Sequence, residues 1–187
     1  MRYKEYNINR VLEKSMVLFW KKGFNGCSIR EVVDATGVNR FSLYHEFENK
    51  EGILYHSLNL YRTRYCDENL LLLDQKGDIA TVLRHFYLSF LNESRPVPGC
   101  YFIHIGTELA DTDERVRQSM DTYLMEIYTR FVNLLCENGV GTSSSEFKSR
   151  HLLGLYITAM SFCLIHTEEE RERFITNGID LIVASDA

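Results

Sequence analysis

Apolar residues recur three and four positions apart along nearly the whole chain, and nowhere do they alternate over a strand's length, so the pattern predicts helices throughout. Ile8, Val11, Leu12, Ser15 and Phe19 mark a first helix that stops at Gly23. Ser28-Ile29-Arg30-Glu31 reads as a capping box opening a second helix, which runs to about Thr36 with Ile29, Val32 and Val33 inward. Gly37 then supplies a sharp turn, and Asn39 caps a short third helix from Arg40 to about Phe47, held inward by Leu43 and Phe47. Helix, glycine turn and helix thus fall within twenty residues, Ser28 to Phe47, which is the spacing of a helix-turn-helix.

The rest of the chain predicts six more helices. Asn49 caps the fourth, which carries Leu54, Leu58, Tyr61 and Tyr65; the fifth carries Ile79 to Phe90. Pro96 and Pro98, the chain's two prolines, place a rigid turn at 94–99 before a sixth helix from Gly99 to about Ala110. A seventh spans Val116 to Leu135, with Asp111 and Glu114 as candidate caps and Gly139 as its stop. Ser143 with Glu146 repeats the capping pattern before an eighth helix to about Thr167, and Phe174, Ile175, Ile179 and Ile182 mark a ninth. The expected fold is all-α, about nine helices, with a three-helix head at residues 1–49 and a helical body at 50–187.

Composition changes this picture little, whereas charge sharpens it. The net charge is −5 over 187 residues, but residues 1–50 hold nine Lys/Arg against six Asp/Glu, a net of +3 that leaves −8 for the remainder. A mildly basic head on an acidic body suits a phosphate-binding module attached to a domain that does not touch nucleic acid. The five cysteines, Cys27, Cys66, Cys100, Cys136 and Cys163, are odd in number and lack C-x-x-C spacing, which argues for reduced thiols rather than a disulfide or zinc framework. No apolar run reaches the ~18 residues of a membrane span, so a cytoplasmic location without membrane partners is expected. Nucleophile-elbow, zinc-protease, phosphate-loop and dinucleotide motifs are missing, and neither an enzyme activity nor a cofactor is expected.

The chemistry lies on the third helix. With Leu43 and Phe47 inward, Arg40, Phe41, Ser42, Tyr44 and His45 project outward. Arg40 can donate a bidentate pair to guanine, Ser42 can reach base or phosphate, and Phe41 can touch a thymine methyl. Tyr44 and Lys50 suit phosphate oxygens, and the free amides beside Ser28, at the start of the second helix, add a contact to the same backbone. Glu46 opposes phosphate and is expected to turn away or to pair with Lys50.

The residues Phe19 to Phe24 and the run TGVNRFSLYHEFENKEGIL resemble the DNA-binding head of the TetR family of repressors. That likeness covers about a third of the chain, and the body adds only a compatible number of helices. It implies that Arg40, Ser42, Tyr44, His45 and Lys50 contact DNA. Phe41, where many members carry a small residue, and Glu46, where many carry His or Tyr, depart from the pattern. The resemblance further implies a homodimer joined through the last two long helices, for which Leu152, Leu155, Tyr156, Ala159, Met160 and Cys163, with Gly154 for close approach, and Phe174 and Ile175 are candidates; an intramolecular core is the other reading of that face. A repressor on palindromic operator DNA, released by a small molecule bound in the body, is the implied function. Candidate pocket residues are Tyr61, Tyr65, Phe86, Phe90, Cys100, Tyr101, His104, Tyr123 and Tyr128. Glu108, one turn beyond His104, either orients an effector or makes a capping or surface pair. Gly99-Cys100 is similar to the corresponding pair in electrophile-responsive members, which leaves a thiol sensor, a simple packed thiol, or a DNA-binding activator as alternatives.

Overall fold

The computed structural model describes residues 6–91, 96–161, 163 and 165–184, and every regular element among them is helical. Residues 94 and 95 of the expected proline turn lie outside the described residues. Among the described residues nine α-helices of eight residues or more succeed one another, in agreement with the all-helical expectation.

The head is built by local signals. Asn7 accepts from the Arg10 amide at the start of α1 (Ile8–Lys22), whose inward face buries Val11, Leu12, Ser15, Met16, Phe19 and Trp20. Ser28 and Glu31 form the full reciprocal box at the start of α2 (Ile29–Thr36): the Ser28 amide donates to Glu31 Oε2 at 2.8 Å and the Glu31 amide to Ser28 Oγ at 3.3 Å. Gly37 closes α2 in the left-handed region, φ 75°, where a side chain would be strained. Asn39 and Asn49 then accept from the third amide of α3 (Arg40–Phe47) and of α4 (Lys50–Tyr61), at 2.9 and 2.7 Å.

Glu31 is also paired with Lys22 at the end of α1. The Lys22 ammonium, followed by the Ser28 amide and hydroxyl, lowers the Glu31 carboxyl to about 2 from an ordinary 4.5. A carboxyl depressed on folding adds stability above its unfolded value and loses it as the pH falls toward the folded one. The melting-temperature gap between wild type and Glu31→Gln should therefore be widest near neutral pH and close between about pH 4.5 and about pH 2. A gap that stays constant over that window would mean the ionised box does not hold α2.

In the body, α4 continues through a π-turn at Arg62–Cys66 and short turns to Asp74, followed by α5 (Ile79–Ser89), α6 (Tyr101–Leu109), α7 (Glu114–Glu137), α8 (Thr142–Ser161) and α9 (Glu168–Ala184). α7 packs on α8, α8 on α9, and α9 on α5, while α1 lies against α4 and touches α6. Two expected caps are corrected. Asp113, not Asp111 or Glu114, caps α7 by accepting from the Arg115 and Val116 amides at 3.0 and 3.1 Å; the Glu114 carboxylate instead meets Arg117 and Gln118. Ser143 lies inside the first turn of α8, while Thr167 and Glu170 form the capping box of α9.

Candidate nucleic-acid interface

The recognition surface starts from what holds α3 still. Leu43 and Phe47 are 0 % and 3 % exposed, Lys14 Nζ on α1 donates to Ala35 O near the end of α2 at 2.6 Å, and the Tyr6 hydroxyl donates to Ser42 O at 3.2 Å. Strapped on both sides, α3 turns Arg40, Phe41, His45 and Glu46 outward, with Ser42 and Tyr44 half-buried at the flanks. Arg40, Phe41, Tyr44 and His45 together line a shallow depression. The Arg40 guanidinium rests 4.9 Å over the Tyr44 ring, a cation–π contact that pre-orients it, and the Phe41 and His45 rings lie 6.4 Å apart.

Two of the expected phosphate contacts have other partners. Lys50 Nζ donates to Phe24 O and Cys27 O, both at 2.8 Å, and lies 4.0 Å over the Phe24 ring. It therefore does not pair with Glu46, and of its three donors one is left for an external oxygen. The Ser28 hydroxyl and amide both donate to Glu31 Oε2, so that carboxylate already occupies the anion-accepting end of α2.

The loop that Lys50 grips is held from the other side as well. Glu108 on α6 accepts from the Phe24 and Asn25 amides, both at 2.7 Å. Eighty-odd residues separate these partners, and no local pattern marks them. The Glu108 carboxylate is thus a bond between body and head. Burial lowers the His104 pKa, and nearby Glu108 opposes that shift.

The expected pocket residues largely gather into one aromatic cluster. The Tyr61 ring centroid lies 5.5 Å from Tyr65 and 5.6 Å from Tyr101, and Phe86 lies 5.3 Å from Phe90. Phe102, stacked 4.8 Å from Tyr123 and 5.5 Å from Tyr61, links the first group to Tyr123. Tyr156, whose hydroxyl meets that of Tyr123 at 2.8 Å, bridges to Phe86 and Phe90. Tyr128 is half-buried farther along α7. Cys100 occupies the N-cap position of α6 with its side chain buried, beside Gly99 at φ 96°.

The expected dimer residues are corrected. Leu152, Leu155, Tyr156, Ala159, Met160, Cys163 and Ile175 are all buried in the single chain, because that face of α8 packs on α7, α6 and α9. Of the candidates, Phe174, 45 % exposed, and Gly154 face outward. The opposite stripe of α8 is open: Phe147 is exposed with its ring 4.4 Å from His151, and a Cβ added at Gly154 would meet nothing within 4 Å. Leu181 continues the exposed apolar set on α9.

The capped helix-turn-helix, with an outward-facing basic and aromatic α3, has the geometry of a DNA-binding helix-turn-helix head. The family model for "Bacterial regulatory proteins, tetR family" matches residues 11–56. The HTH-type transcriptional repressor ComR of Escherichia coli is 32 % identical over 114 residues, 58 % of this chain and 54 % of ComR. The repressor NemR of the same organism is 26 % identical over 105 residues, 54 % of this chain and 53 % of NemR. The chain thus spans about half the length of these curated relatives. Solved structures extend the likeness to the whole fold. A TetR-family transcriptional regulator from Streptomyces coelicolor superposes with a TM-score of 0.83 at 18 % identity, covering 95 % of this chain and 89 % of that one. A cysteine mutant of the TetR family regulator CifR, complexed with 26-bp operator DNA, gives 0.82 at 19 % identity over 99 % of this chain and all of that one. Residues 11–56 thus match the TetR family's N-terminal model, and the chain shares the fold of TetR-family structures.

Proposed function

We infer that the protein is a cytoplasmic transcriptional repressor that grips palindromic operator DNA as a homodimer through α3 and lets go when a small molecule enters the body. The observation that carries this reading is the outward face of α3, where Arg40, Phe41, Tyr44 and His45 are offered on a helix whose own packing is complete. ComR and NemR are transcriptional repressors, which favours repression over activation. In this reading Arg40 and His45 face base edges, while Tyr44, Ser42 and the remaining donor of Lys50 face phosphates. The dimer forms through the open stripe of α8 and α9 that includes Phe147, Gly154, Phe174 and Leu181, which is apolar and exposed among the described residues. The effector enters the aromatic cluster around Tyr61, Tyr101 and Tyr123, whose hydroxyls supply polar anchors among apolar walls. Because Glu108 ties α6 to the loop after α1, displacement of α6 by a ligand moves the head. The buried thiol of Cys100 favours ligand entry over direct thiol modification as the release signal.

Selection of bound sequences from random duplex DNA tests the reading. A palindrome with half-sites about one helical turn, ~34 Å, apart is expected, and affinity for it should fall steeply as salt rises, because cationic contacts to phosphate release counterions. Absence of any enriched sequence, or affinity indifferent to salt, would remove DNA binding as the function.

A further inference from the structure

Phe41 is the outstanding exposed ring of the head. It is 73 % exposed, although it sits on a helix whose other large apolar side chains, Leu43 and Phe47, are almost fully buried. Among the described residues its single ring neighbour is His45, one turn along, at 6.4 Å and 33°. No described residue of the head covers it, and α3 is too well anchored to turn it inward, since Leu43, Phe47 and the Tyr6 strap fix the rotation of the helix. An aromatic ring held in water is unfavourable in the free protein, and that cost is recovered when an apolar group covers it.

The position narrows what that group can be. Phe41 is the second residue of α3, after the Asn39 cap, and the N-terminal residues of a recognition helix are those that meet base edges in the major groove. The apolar group that bases present there is the C5 methyl of thymine. Arg40 and His45, exposed on either side of Phe41 on α3, supply the hydrogen-bonding groups of this face, and Phe41 supplies its apolar surface.

Resting on the DNA-binding reading above, we propose that Phe41 is a specificity-determining residue which reads thymine by its C5 methyl, so that each operator half-site carries a thymine under this ring whose recognition depends on the methyl rather than on hydrogen bonds. Burial of one methyl is worth about a four-fold change in affinity per half-site, and about fifteen-fold for a two-fold symmetric site. Deoxyuridine keeps every hydrogen-bonding group of thymidine and removes only this methyl, so it isolates the effect.

The experiment uses the full chain and the palindrome that it enriches from random duplex DNA. That duplex is resynthesised with deoxyuridine for thymidine one position at a time, symmetrically in both half-sites, and affinity is read by fluorescence anisotropy at fixed salt. One thymine position should lose about fifteen-fold in affinity. The same replacement should cost Phe41→Ala little, and Phe41→Leu, which keeps an apolar surface, should retain part of the discrimination. Because the side chain is exposed, melting temperatures of both variants should match wild type. Equal affinity for every deoxyuridine duplex overturns the inference while leaving DNA binding intact. A loss that Phe41→Ala suffers equally assigns the methyl to another residue and also overturns it. No enrichment at all removes the reading on which the inference rests.

Discussion

Arg40→Ala is expected to weaken operator binding by between about 30-fold and about 10⁴-fold while leaving the melting temperature unchanged. The guanidinium is exposed and bonded to nothing that the fold needs, so its loss leaves the core intact. A bidentate Arg–guanine contact discriminates by about 1–3 kcal/mol, a two-fold symmetric complex holds two of them, and each 1.4 kcal/mol is a factor of ten. The Tyr44 ring, 4.9 Å beneath the guanidinium, shares in this effect by limiting the positions that Arg40 samples when free. A double-mutant cycle separates the two roles: Arg40→Ala and Tyr44→Leu together should cost less than the sum of each alone. Titration of the selected palindrome and of a scrambled duplex at two salt concentrations is the measurement. A variant that loses affinity equally for both duplexes has lost a phosphate contact and not a base contact. One within three-fold of wild type on the palindrome would show that Arg40 does not read the operator.

The head was legible in the sequence because its geometry is written locally. Ser28 and Glu31, Asn39, Asn49 and Gly37 each act within four residues of their own position, so the rules of capping and of left-handed turns place α2, α3 and α4 without knowledge of the rest of the fold. The body was legible only as a succession of helices. α8 is apolar on more than one face, with Leu152, Tyr156 and Ala159 on one and Phe147, Gly154 and Ile157 on another, and periodicity alone does not say which face turns inward. The structure turns the first set inward and leaves the second on the outer side. Buried Lys148, which donates to Val183 O on α9, adds to the ambiguity, because a lysine within a stripe reads as a solvent-facing position.

Lys50 and Glu108 show the same limit at the site itself. Both read as candidate ligand contacts, one for phosphate and one for an effector, because sequence exposes their charge but not their partners. In the fold they meet on opposite sides of residues 24–27, one giving hydrogen bonds to carbonyls and the other taking them from amides. A charged side chain that satisfies backbone groups from a distant element leaves no periodic trace. The loop between α1 and α2 is therefore set by α4 and α6 jointly.

The packing that joins α1 to α4 and α6 centres on Trp20, and Trp20→Ala should lower the melting temperature by roughly 6–20 °C. Trp20 is 2 % exposed at the end of α1, with Tyr61 of α4 edge-on at 5.2 Å and Tyr101 of α6 at 5.6 Å. Removing a buried tryptophan costs about 3–5 kcal/mol, and a chain of this length shifts by about 2–4 °C per kcal/mol. The surroundings resist collapse into the space. Tyr101 is tethered through its hydroxyl to Ser57 Oγ at 2.9 Å, and Tyr61 is held by Phe102, so neither ring can follow without breaking a buried contact. Trp20→Phe, which keeps an aromatic edge for Tyr61, should recover about half of the loss. Thermal unfolding at a fixed protein concentration is the check, since association would otherwise shift the midpoint. As the chain's only tryptophan, Trp20 also reports on the joint directly: a ligand entering beside Tyr61 and Tyr101 must change its emission. A Trp20→Ala protein that melts within 2 °C of wild type would mean that the joint yields easily, and that α1 does not depend on α4 and α6 for its position.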